Sequence, residues 1–152
     1  MNLTAMPRSL YDETVRAEVV ARLDRLQPSA AARWGRMDAP KMVAHVTEWF
    51  RMSNGDLSVR VRRVPGRTLL RWLIIYVLPM PKGSPTAREL IARVPESWPQ
   101  DVARLRALLE AQRRRQPARP VPDHPLFGPM REDDWGVLAW KHTDHHFRQF
   151  GI

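Results

Sequence analysis

A length of 152 residues fits one domain, residues 1–152, and a composition 43% hydrophobic with six tryptophans excludes a chain too polar to bury a core. The absence of cysteine excludes disulfides, thiolate metal ligands and a cysteine nucleophile, so any thiol chemistry must use a thiol brought by a cosubstrate. A formal charge of +9 favours encounter with anions but specifies no partner, and no RNA motif, zinc-finger spacing or heptad zipper accompanies it. Nucleic-acid association through Arg60, Arg62, Arg63 and "RRRQPAR" is therefore a minor expectation.

The opening "MNLTAMPRSLYDETVRAEVV" lacks a basic stretch followed by an uninterrupted apolar one, so it does not read as a signal peptide, and cytoplasmic residence is expected. A first helix is predicted from after Ser9 to about Leu26, with Val15, Val19, Leu23 and Leu26 on one stripe and Pro28 as the stop. Asp38 offers an N-cap for a second helix, Pro40 sits in its first turn, and "KMVAHVTEWFRM" carries it to Asn54 and Gly55. A third helix is predicted between Gly66 and Leu78. Its apolar "TLLRWLIIYVLPM" holds Arg71 and Pro79 and falls well short of the roughly 20 residues that span a bilayer. The expectation is a buried helix, ahead of one lying on a membrane surface.

Five prolines in "PMPKGSPTARELIARVPESWP" predict an irregular connection with one helical turn at Thr86 to Ala92. A fourth helix follows over Gln100 to Arg115, with Val102, Leu105, Leu108 and Leu109 facing inward. "RRRQPARPVPDHPLFG" is a basic, proline-rich linker, and the last helix is predicted over Glu132 to Phe150. The fold class is all-α: an antiparallel four-helix bundle with one additional short helix.

Three of the five histidines fall in the terminal "KHTDHHFRQFGI". A helix turns about 100° and rises about 1.5 Å per residue, so His142 and His146 face the same way about 6 Å apart. Trp135, Leu138 and Ala139 share that face, which directs both imidazoles at the core. His45, in the second helix, shares its stripe with Met42, Val46 and Trp49 and also points inward. If the two helices are neighbours, His45, His142 and His146 can converge on one divalent ion and leave a coordination position open, the pattern of catalytic rather than structural zinc. The plain alternative is a hydrogen-bonded core pair or a solvated cluster. His145 lies about 100° from His146 and reads as a supporting or surface residue. Asp144, Gln149 and Glu48 are candidate acceptors behind the ligands, and His124 in "DHPLFG" is a candidate for the mouth of the site.

"HPLFGPMREDDWGVLAWKHTDHHFRQFGI", "RWGRMDAPKMVAHVTEWF" and "PKGSPTAREL" together resemble a bacterial domain-of-unknown-function family within the DinB/YfiT-like superfamily, and the likeness covers nearly the whole chain. Its most specific part is the H-x-x-H-H-x-R-Q-F-G ending paired with a lone histidine on the second helix. The resemblance implies a four-helix bundle, commonly up-down-down-up, with metal on one histidine of the second helix and two on the last: His45, His142 and His146. Arg131 departs from the expected Ser/Thr cap of the last helix, and the arginine-rich linker is unusually basic.

Relatives of this kind that act on thiols imply a metal-dependent thiol S-transferase or hydrolase, with zinc or nickel as the first expectation for the ion and a low-molecular-weight thiol as cosubstrate. "PMPKGSPT" and "DHPLFG" are candidate walls of the substrate pocket, and Lys141 and Arg148 are candidates for binding a carboxylate or phosphate. The competing class is a non-catalytic, stress-related binding module in which the histidines only fix the bundle. A homodimer through a helix face is a further expectation.

Overall fold

The computed structural model describes residues 6–116 and 119–152. Residues 1–5, on which the reading of the N-terminus partly rests, and 117–118, inside "RRRQPAR", lie outside the described residues. Among the described residues five α-helices carry the fold: α1 Glu13–Leu23, α2 Ala39–Asn54, α3 Arg67–Trp72, α4 Trp98–Glu110 and α5 Glu132–Gln149. A π turn, Leu73–Val77, continues α3, and a 3-10 turn, Arg88–Leu90, falls within the segment predicted to hold one. There is no strand among the described residues, only an isolated bridge between His124 and Gly128.

Local chemistry sets where each helix begins and ends. The α1 helix starts later than predicted because Asp12 caps it, its carboxylate accepting the Val15 N–H at 3.0 Å. Ser9 meanwhile diverts the preceding backbone by accepting the Tyr11 N–H at 3.2 Å. Leu26 is buried as expected, but from a turn beyond the helix end. The predicted cap of α2 holds: Asp38 accepts the Lys41 N–H at 2.8 Å, and Gly55 closes the helix in the left-handed region at φ +86°. The α4 helix begins two residues early, because Pro99 fits its first turn and the Asp101 carboxylate accepts the Glu96 and Ser97 N–H groups. It stops at Glu110 because Arg115 is drawn off to Glu132, whose carboxylate accepts its N–H at 2.7 Å and its guanidinium at 2.9 Å. Arg131 cannot accept a backbone N–H, so α5 is capped from inside: Asp134 takes the Arg131 N–H at 3.2 Å, and Glu132, Asp133 and Asp134 complement the helix dipole.

The apolar third helix is not buried as predicted. It packs on α5 through the π turn, so only one face is covered: Ile75 is inside, while Leu69 is 62% exposed and Trp72 53%. A short helix that is apolar all round and has one neighbour must leave the rest of its surface outside. Lys141 on α5 holds it, Nζ donating to the Ile74 and Leu78 carbonyls at 2.5 Å each. No helix among the described residues is long and apolar enough to cross a membrane.

Helices α1 and α2 each pack against both α4 and α5. Phe50 and Val43 of α2, Leu105 and Leu109 of α4, and Trp135 and Phe147 of α5 fill the space between them. The face of α2 that meets α5 carries His45.

Candidate metal centre

His45, His142 and His146 come together across the α2–α5 contact, each offering a ring nitrogen within 4.8 Å of the others. The helical phase of each side chain follows from its neighbours. Met42, Val46 and Trp49 are buried beside His45, and Leu138 and Ala139 are buried on the stripe that leads to His142 and His146. Trp49 lies flat on the His142 ring, 4.7 Å between centroids and 18° from parallel, which holds the imidazole in place.

Hydrogen bonds decide which nitrogens face inward. His45 Nδ1 is 3.1 Å from the Leu90 carbonyl, and a carbonyl only accepts, so the proton is on Nδ1 and Nε2 carries a free lone pair. His146 Nδ1 likewise meets the Gln149 Oε1 at 2.9 Å, and Gln149 is itself fixed by donating Nε2 to the Trp34 carbonyl at 2.7 Å. These are the outer partners that orient metal-ligating histidines. His142 Nε2 lies 3.3 Å from His45 Nε2, and its buried Nδ1 has no hydrogen-bond partner. Burial, reinforced for His142 and His146 by the neighbouring imidazoles, keeps all three rings neutral. The pKa of His142 falls well below the ordinary value, that of His45 is lowered, and that of His146 drops to about 3.

The donor set fits a divalent ion. Two nitrogens bound tetrahedrally at 2.0–2.1 Å lie about 3.4 Å apart, close to the spacing of the His45 and His142 Nε2 atoms. Closing the third side of the triangle takes an inward movement of at most roughly 1.5 Å. Neutral rings with oriented lone pairs are also the protonation state that ligation requires.

The triad floors a cleft of about 1000 Å³. Both proline-rich segments stand in its wall, Met80–Ala87 on one side and His124–Phe127 on another. His124 is partly buried and neutral, its pKa lowered to about 4 by desolvation, and its Nδ1 accepts the Leu126 and Phe127 N–H groups at 3.1 and 3.2 Å. His145 lines the cleft half-buried, edge-on to Trp34 at 5.6 Å.

The remaining sequence candidates sit elsewhere. Glu48 is buried but spends its carboxylate on Arg51 at 3.0 Å and Arg93 at 3.1 Å. Asp144 pairs with Arg22 and Arg148 at 2.7 and 2.9 Å. Lys141 is occupied with the end of the π turn, and Arg148 is at the surface. The carbonyls of Leu90, in the 3-10 turn, and of Trp34, in a loop, are main-chain groups that leave no residue signature in the sequence. Nor is the role of Gly35 legible there, at φ +82°, where a Cβ would stand 2.6 Å from Gln149 Nε2; glycine lets the Trp34 loop close on the amide that orients His146.

Comparison with the curated proteins and with the solved structures brings no match. Residues 6–151 match the family described as "Protein of unknown function (DUF1569)", and the chain belongs to that family.

Proposed function

We propose that this chain is a divalent-metal protein of the DinB/YfiT-like class, with α1, α2, α4 and α5 as an up-down-down-up four-helix bundle and His45, His142 and His146 as the ligands. The observation that carries the reading is the 3.3 Å approach of the His45 and His142 Nε2 atoms, with the Nδ1 protons of His45 and His146 committed to outer acceptors. Without an ion, a lone pair on His45 Nε2 needs His142 to donate across that gap, which leaves a bare nitrogen on the other side of a buried ring. Zinc or nickel suits such a donor set.

A divalent ion held by three protein ligands keeps a position at which the pKa of a water or thiol falls toward neutrality. The chain's own contribution is to hold three neutral imidazoles in place and to close the site with Trp49. No carboxylate lines the cleft among the described residues, so His145 is the group available to carry a proton. The reaction class is thiol S-transfer or hydrolysis. In the first, a low-molecular-weight thiol gives up its proton, its sulfur forms the new bond to an electrophilic carbon, and the leaving group departs with the bonding pair. The cytoplasm, where such thiols are held reduced, is the compartment this chemistry fits.

Elemental analysis after loading with zinc and desalting tests the proposal, with circular dichroism reporting that each variant folds. About one ion per chain is expected for the wild type, and little for His45→Ala and His146→Ala. Equal metal content in all three ends it.

A further inference from the structure

The cleft has a strongly one-sided charge. Arg36, Lys41, Arg60, Arg62 and Arg93 line it, and no aspartate or glutamate does among the described residues. The five are not equivalent. Arg93 is engaged by Glu48, Glu96 and Asp101, and Lys41 lies 3.4 Å from Asp38. Arg60 and Arg62 make no ion pair within 4 Å among the described residues.

The backbone fixes where these two stand. The Arg60 N–H donates to the Glu89 carboxylate at 3.1 Å and the Arg62 N–H to the Pro125 carbonyl at 2.8 Å, which ties their segment between the 3-10 turn and the His124–Gly128 loop. Glu89 is partly exposed and does not line the cleft; its carboxylate accepts that N–H and feels the charges of Arg60 and Arg62 without pairing with either guanidinium within 4 Å. The Arg62 backbone is thereby set against the loop that carries His124. Because His124 Nδ1 accepts two backbone N–H groups, its one proton is on Nε2, and the ring is a fixed donor in the cleft wall. Next to these polar donors the lining is apolar: Trp49, Met52, Leu126 and Phe127.

Two guanidinium groups and an N–H donor beside an apolar wall, in a cleft of ligand size, match one kind of molecule. We propose that the cleft binds an amphipathic oxyanion, an apolar body several carbons long carrying a carboxylate or phosphate head, with the head on Arg60, Arg62 and the His124 Nε2–H and the body against Trp49, Met52 and Phe127. This rests on the reading above only in taking the same cleft as the substrate site; the head group is held by side chains other than the imidazole triad.

Isothermal titration of the full chain, zinc-loaded and chelator-treated, with decanoate, decyl phosphate, decanol and decylamine tests it. One equivalent of decanoate or decyl phosphate is expected to bind in both preparations, the tighter of the two naming the head group. Decanol should bind at least tenfold more weakly, and decylamine more weakly still. The exposed double variant Arg60→Ser/Arg62→Ser should lose at least tenfold for the anion and nothing for decanol. Equal binding of decanol and the anions, an unaffected double variant, or no binding of any probe overturns the proposal. Anion binding confined to the zinc-loaded protein also overturns it, since the head would then sit on the ion. Anion binding in a protein that takes up no zinc leaves this proposal standing while the metal reading fails.

Discussion

His45, His124 and His146 are each oriented by what one ring nitrogen touches. Gln149 stands between the Trp34 carbonyl and His146 Nδ1, so its side chain fixes one ligand's tautomer and rotamer. Gln149→Ala is expected to weaken zinc binding about 10- to 100-fold with helicity unchanged; an unaltered zinc affinity would show that His146 orients itself. Desolvation of His124 and His146 also has a pH signature. Both titrate near 6.5 when unfolded but only near 4 and 3 in the fold, so on acidification the unfolded chain takes up protons first. Their contribution is complete above about pH 6.5 and is lost as pH falls toward 3, at roughly 1.4 kcal/mol per unit for each ring. Urea midpoints of the metal-free protein should therefore drop steadily between pH 7 and 4, and a flat profile would mean these rings are not desolvated. The triad itself is legible in the sequence, because the four-residue spacing of His142 and His146 and the stripe of Met42, His45 and Trp49 fix direction through helix geometry alone. Of the partners behind it, Gln149 is legible as a candidate acceptor, whereas the Leu90 and Trp34 carbonyls are main-chain groups whose path depends on the finished fold.

Element ends set by neighbouring residues are legible in the sequence, and those set by a distant residue are not. Asp38 and Gly55 bound α2 by bonds within a few residues, and the sequence shows both. The end of α4 depends on Glu132 pulling Arg115 away, and the exposed face of α3 depends on its having α5 as its helical neighbour, so neither can be read from periodicity. Residues 9–11 pack closely against α5. The Leu10 N–H donates to the Gly136 carbonyl at 3.0 Å, and a Cβ at Gly136 would meet Ser9 Oγ and stand 2.6 Å from Tyr11 Cδ2. Gly136→Ala should cost about 1–3 kcal/mol, from overpacking. For a chain of this length that is a fall of roughly 2–4 °C in Tm per kcal/mol. A melting temperature equal to the wild type's would mean that the 9–11 segment yields freely.

For the whole molecule, the arrangement separates two tasks. Packing between α2 and α5 brings neutral imidazoles to the floor of the cleft, while the loops around residues 60, 83 and 125 supply its walls and much of its charge. The net charge of +9 is thus not only a solvated surface: part of it is turned toward the cleft, which no aspartate or glutamate among the described residues lines. A ligand that binds only the folded state stabilises it by mass action, about 2.7 kcal/mol at one hundred times its Kd, so zinc should raise Tm in a concentration-dependent way and leave His45→Ala unmoved. The most direct test is X-ray absorption at the zinc edge of the loaded protein. A shell of three imidazole nitrogens and one further oxygen or nitrogen donor at about 2.0–2.1 Å is expected, reduced by one imidazole in His45→Ala. A shell with fewer than three imidazoles, or one unchanged by that substitution, would contradict the three-histidine centre.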